Sequence, residues 1–278
     1  MPSENESAEH KRRLELAFAG LVSVALLALT VTVTKLAPAH EPTEASVKLE
    51  PIVVFPDFGS ISNIDAKKQQ FFDFLQDYVR YENGLITDLR LRLLSYAEIV
   101  ESGVALSGRE RDWVMDLAIT YDVNTEATID QAIVNELLSR VDVIPASLVL
   151  AQAANESAWG TSRFALEGNN IFGQWCYEEG CGIIPSRRIA GAKHEVKSFD
   201  TIEAAIEGYF LNINSHHLYA GFREERARLR QLNQNLDPIV LVEELDRYSQ
   251  RGENYIDEVQ TLIQQNDLRQ RDRRWVEN

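Results

Sequence analysis

From Asp65 to Ile99, apolar residues return at helical intervals: Phe71, Phe72, Leu75, Tyr78 and Val79, then Leu85, Leu89, Leu93 and Ile99. Gly103 and Gly108 break that pattern. Ser107 is placed to cap a second helix carrying Trp113, Val114, Leu117, Ala118 and Tyr121, and Thr128 or Asp130 to open a third through Ile133, Leu137 and Leu138. Pro145 suits the first turn of a further helix, because its missing N–H would be unpaired there anyway. On that helix Leu148, Ala151, Gln152, Asn155 and Trp159 share one face, and Val149, Ala153 and Glu156 share the neighbouring strip; Gly160 stops it. Later, Ile206, Tyr209, Phe210 and Ile213 form an amphipathic helix after Asp200-Thr201. Pro238 begins another with Leu241, Leu245 and Tyr248, and Ile256, Val259, Leu262 and Ile263 complete the set. Between Cys176 and Phe199 the rhythm changes. Gly180, Gly182, Pro185 and Gly191 punctuate short runs, as in a small β-lobe. The pattern predicts an α+β fold that is mostly helical.

The beginning of the chain follows a different rule. Lys11, Arg12 and Arg13 precede an apolar run from Leu16 to Val33, and eighteen residues rising about 1.5 Å each span roughly 27 Å, close to the hydrocarbon thickness of a bilayer. Residues 14–36 therefore read as a single transmembrane anchor in the inner membrane, with the basic tail 1–13 in the cytoplasm and the rest in the periplasm. Ala37-Pro38-Ala39 also resembles a signal-peptide cleavage site, which would instead release the chain into the periplasm. Residues 37–64 carry Pro38, Pro42, Pro51 and Pro56 and read as an extended linker. A helical region at 65–140 and a catalytic domain at 141–268 follow. Residues 269–278 read as a charged, frayed tail.

The formal charge of −15 argues against nucleic acid as a partner, since phosphate binding depends on Lys and Arg. The only cysteines are Cys176 and Cys181; in an exported chain so close a pair reads as a loop-closing disulfide. A zinc site would need two more ligands, and His194, His216 and His217 are the only downstream histidines. Neither metal nor cofactor is expected. Glu156 is the candidate for chemistry. A carboxyl projecting from an apolar, small-residue surface is held protonated by desolvation, as a general acid near neutral pH requires. The competing reading is a solvated glutamate in a last helical turn.

The run from Gln152 to Gly160 continues into Thr161-Ser162-Arg163-Phe164-Ala165 and Gly168-Asn169-Asn170-Ile171-Phe172-Gly173-Gln174-Trp175-Cys176. With His194-Glu195-Val196, Phe199-Asp200-Thr201, Asn212 to Tyr219 and Tyr248-Ser249, this ordered series resembles the glucosaminidase family of peptidoglycan hydrolases, glycoside hydrolase family 73. The resemblance implies a lysozyme-like helical core whose small β-lobe walls a sugar cleft, peptidoglycan glycan strands as the partner, and Glu156 as the general acid. It also implies a second glutamate on the β-lobe, for which Glu195 is the candidate, and a tyrosine close to the reacting sugar, Tyr219. Glu195 reads equally as a strand residue paired with Lys193 or Lys197. Where most members have Pro-Arg before the tyrosine, this chain has His217-Leu218. Trp159, Phe172 and Trp175 suit either core packing or stacking on a sugar face. Asn169 and Asn170 suit a turn, and also the binding of N-acetyl groups. Two other functions compete with hydrolysis at N-acetylglucosamine: a lytic transglycosylase acting at N-acetylmuramic acid, and a non-catalytic peptidoglycan-binding module. Oligomeric state is not legible.

Overall fold

The computed structural model describes residues 49–124, 128–186, 188 and 191–272. The expected anchor at 14–36, its alternative cleavage site and the basic tail lie outside them; among the described residues no helix is long and apolar enough to cross a membrane.

Helix α1 (Ile64–Glu101) is capped by the side chain of Asn63 and buries Phe71, Phe72, Leu75, Val79, Ile86 and Leu93 along one stripe. Ser107 caps α2 (Gly108–Thr120) in a reciprocal capping box with Glu110, and Asp130 caps α3 (Gln131–Arg140). Next comes α4 (Ala146–Ser157), in which every residue from Ala146 to Ala154 is buried. A helix apolar on all sides can only sit inside the protein. Asn83 of α1 secures its approach: its amide donates to the Ile144 carbonyl at 2.8 Å and its oxygen accepts from the Ile144 N–H at 3.0 Å.

Helix α5 (Arg163–Gly168) leads into three short strands, β1 (Trp175–Cys176), β2 (Gly182–Ile183) and β3 (Glu195–Lys197). They form one antiparallel sheet in the order β1-β3-β2, with Cys176 opposite Glu195 and Ile183 opposite Val196. The Cys176–Cys181 disulfide closes the loop after β1. Helices α6 (Ile202–Ser215), α7 (Ala220–Gln231), α8 (Pro238–Val242) and α9 (Glu253–Gln265) complete the chain. The described fold is mostly helical with a small antiparallel sheet.

Two segments depart from expectation. The linker reading fails for the part of 37–64 that is described. Phe55 and Phe58 are buried and meet Phe71 and Phe74 edge to face, and the Ile52 N–H donates to the Glu203 carboxylate. Two aromatic rings bury enough area to hold a proline-interrupted segment against the core. The start of the tail is also docked rather than frayed. Leu268 is buried, Arg271 pairs with Asp73 of α1, and Asp272 accepts hydrogen bonds from the N–H and hydroxyl of Ser147 at 2.8 and 2.7 Å. Pro145 provides no side-chain cap for α4, and the Asp272 carboxylate takes that place at the helix's positive end.

Candidate active site

The end of α4 is shaped by three consecutive residues in the left-handed region, Ala158, Trp159 and Gly160. A Cβ on Gly160 would stand 2.4 Å from the Phe55 ring and 2.9 Å from that of Phe58, so glycine is required there on two counts. The Ser157 hydroxyl fastens the turn, accepting from the Gly160 N–H and donating to the Ala153 carbonyl. This abrupt stop leaves Glu156 on the last turn, its side chain 21% exposed.

Burial pushes the Glu156 carboxyl up to about 7; Arg251 opposes that rise and Glu258 adds to it. The nearest cation is held off. Arg251 stands 3.6 Å from the Glu156 carboxylate, while its guanidinium pairs with Glu258 and lies over the Tyr255 ring at 5.3 Å. Oε1 of Glu156 has no hydrogen-bond partner within the protein. Gly173, also at positive φ, passes close: a Cβ there would lie 3.3 Å from Glu156 Oε2. A side chain at 173 would crowd the carboxyl that glycine leaves open.

Behind Glu156 stands a block of aromatic rings. Phe172 stacks on Tyr209 at 4.1 Å, Tyr248 stacks on Tyr255 at 5.5 Å, and Tyr219 lies 6.1 Å from Tyr248. Gln152, one turn before Glu156 and wholly buried, accepts from the Tyr209 hydroxyl and donates to the Tyr255 oxygen. The Tyr248 hydroxyl donates to the Phe172 carbonyl at 2.9 Å. Tyr219 is raised by burial, with a smaller contribution from the Glu156 charge, while an Asn212 hydrogen bond opposes the rise. The structure thus brings Glu156 and Tyr219 into one electrostatic neighbourhood. Gln152, Tyr209, Tyr255 and Arg251 join them without having been singled out for the site. A glutamine inside an otherwise apolar helix was the signal available for Gln152.

The remaining candidates separate. Glu195 is 4% exposed, and its carboxylate accepts from the N–H groups of Gly180 and Gly182 at 3.2 and 2.9 Å. Through those two amides it braces the disulfide loop. Both asparagine amides are likewise engaged by backbone. Asn169 donates to the carbonyls of Val53, Phe199 and Asp200; Asn170 donates to those of Gln174 and Lys197 and accepts from the Phe172 and Gln174 N–H groups. They tie the β-lobe to the helical core. Phe172 is a core residue. Trp159 packs edge to face on Phe71 and Phe72 and lines, with the unpartnered Asn155 amide, an open depression of about 570 Å³. Trp175 is 49% exposed, with one face stacked on His194 at 4.2 Å. It is the exposed ring of the set. Among the described residues no three His, Cys, Asp or Glu side chains are arranged to hold a metal ion.

Residues 131–268 match the family described as glucosaminidase, mannosyl-glycoprotein endo-beta-N-acetylglucosaminidase. The chain is 31% identical to Protein bax of Escherichia coli (strain K12) over 211 residues, covering 76% of this chain and 74% of that one. The chain belongs to the glucosaminidase family. It is a glycosidase, a peptidoglycan hydrolase by family. The catalytic domain of the autolysin Auto from Listeria monocytogenes is similar at 15% identity and a TM-score of 0.40, covering 77% of this chain and 92% of that one. The glucosaminidase match begins at Gln131, so α3 to α9 and the β-lobe fall within it, whereas α1 and α2 precede it.

Proposed function

We propose that this glucosaminidase cleaves peptidoglycan glycan strands at N-acetylglucosamine by hydrolysis, with Glu156 as general acid, in the lysozyme-like manner of its family. The observation that carries this is the Glu156 carboxyl itself: desolvated to a pKa of about 7, lacking a hydrogen-bond partner at Oε1 and left open by Gly173. Such a group still carries its proton in about half of the molecules at pH 7 and can give it to the glycosidic oxygen as the bond from the anomeric carbon breaks. Water then supplies the hydroxyl at that carbon. The positive charge developing on the sugar can be met by the substrate's own acetamido oxygen, with Glu195 on the β-lobe as the second carboxylate of the site. Tyr219 closes the side of the site next to the reacting sugar, and the free face of Trp175 offers a platform for a neighbouring ring.

The same reading places the enzyme in the periplasm, anchored by residues 14–36. The Cys176–Cys181 disulfide supports it, since such bonds persist in oxidising compartments.

The test is digestion of purified peptidoglycan by the full chain beside its Glu156→Gln variant, with new ends identified by mass spectrometry. N-acetylglucosamine reducing ends from the wild type alone are expected. Anhydro-muramic ends would make the protein a transglycosylase. Binding without products from either form would make it a recognition module.

A further inference from the structure

Away from Glu156, helices α1, α2 and α6 enclose a cavity of about 460 Å³. Its walls mix aromatic rings, Tyr81, Trp113 and Phe210 among them, with leucine and isoleucine side chains, and its ionisable lining apart from tyrosine is wholly acidic: Glu82, Asp116, Glu203 and Glu207. Among the described residues no Lys, Arg or His lines it. Glu203 is already occupied by the Ile52 N–H. Glu82 is half-buried and Glu207 is exposed, and the two repel: burial first, then Glu207, lifts Glu82 to about 7. Desolvating a carboxylate beside a second one costs stability, and neither fold nor catalysis as described needs this pair. A bound cation would relieve both terms. The carboxylates do not form a group able to hold a metal ion, and the ring-lined walls suit a hydrocarbon stem and an ammonium head, since aromatic faces attract cations.

We infer that this cavity is a second binding site, for an alkylammonium group of the lysine side-chain type, its amine held between Glu82 and Glu207 and its stem against Tyr81, Trp113 and Phe210. The site stands apart from Glu156, so its occupancy does not depend on hydrolysis.

The experiment is calorimetric titration of the full chain with Nα-acetyl-lysine methylamide, its Nε-acetylated counterpart, 1,5-diaminopentane and an N-acetylglucosamine oligomer. The amines are expected to bind at least about tenfold more tightly than the acetylated compound. The double variant Glu82→Gln/Glu207→Gln should lose that preference, and Glu156→Gln should keep it. Tighter binding of the lysine derivative than of the diamine would identify a side chain carried on a peptide. The reverse order would identify a free diamine. Equal binding of the acetylated compound would overturn the inference, as would retained preference in a folded double variant, or displacement of the amine by the sugar oligomer from wild type and double variant alike. Should the double variant not fold, the amine-against-amide comparison in the wild type decides.

Discussion

Asp142 and Glu156 each carry a carboxylate into the protein at opposite ends of α4, and their neighbours differ. Asp142, its side chain 3% exposed, accepts from Arg230 at 2.8 and 3.2 Å and has Arg90 and Arg226 within 3.8 Å. Burial would raise it, but Arg226, Arg90 and Arg230 together outweigh that and hold it below the ordinary carboxylate range. Glu156 is buried less, yet it faces one arginine, which is itself shared with Glu258, and it rises to about 7. One carboxylate is saturated with positive charge and fixes the entry to the helix. The other is left short of it, and its carboxyl is raised to about 7, as the proposed role of general acid requires. Depth of burial alone therefore does not mark a reactive acid; the surplus of desolvation over compensation does.

The largest effect is expected at Glu156. The Glu156→Gln variant should lose about 10²–10⁴-fold in turnover of purified peptidoglycan, with its thermal midpoint undiminished. A loss below tenfold would move the proton donor elsewhere. At the other end, Asp142→Ala should cost about 3–5 kcal/mol in urea unfolding, because it strands buried arginines. Turnover per folded molecule should hold. Since the folded Asp142 is depressed, its contribution is present above the ordinary aspartate value and is lost as pH falls through the still lower folded one. Acid unfolding of the wild type should therefore steepen at the bottom of the carboxylate range, and that of Asp142→Ala should not. The smallest effect sharpens the contrast. The wild-type pH profile of kcat/KM should fall as pH rises through about 7, because the acid is then deprotonated. Arg251→Gln should move that alkaline limb upward and Glu258→Gln downward.

Much of this was legible in order along the chain. The caps at Ser107 and Asp130 and the apolar run of α4 are local signals, readable because they depend on neighbours three or four residues away. What escaped was non-local. Helix α7 offers only Phe222 and Leu229 as an apolar stripe: the rest of its buried face is Arg223 and Arg226, the second of which a long-range partner such as Asp142 makes tolerable. Phe55 and Phe58 lay inside a stretch that its prolines and acids mark as extended, and partners distant in sequence, on α1, α6 and the turn at Gly160, pull it down. At the site, Glu156 and Tyr219 could be named from order and residue type. The turn held by Asn170 was legible too, since its bonds to Phe172 and Gln174 are local; the reach of Asn169 to Val53, 116 residues away, and the loop bonds of Glu195 were not.

The hydrogen bonds from Ser147 to Asp272 also set a clock. The first turn of the helix that carries the acid is closed by a residue made 125 positions later. At ribosomal speeds of about 5–20 residues per second, that interval lasts roughly 6–25 s. Throughout it, α4 emerges without its final cap, and the site at its far end is attached to an unfinished helix. A nascent wall-cutting enzyme built this way stays immature until nearly the whole described chain has been synthesised.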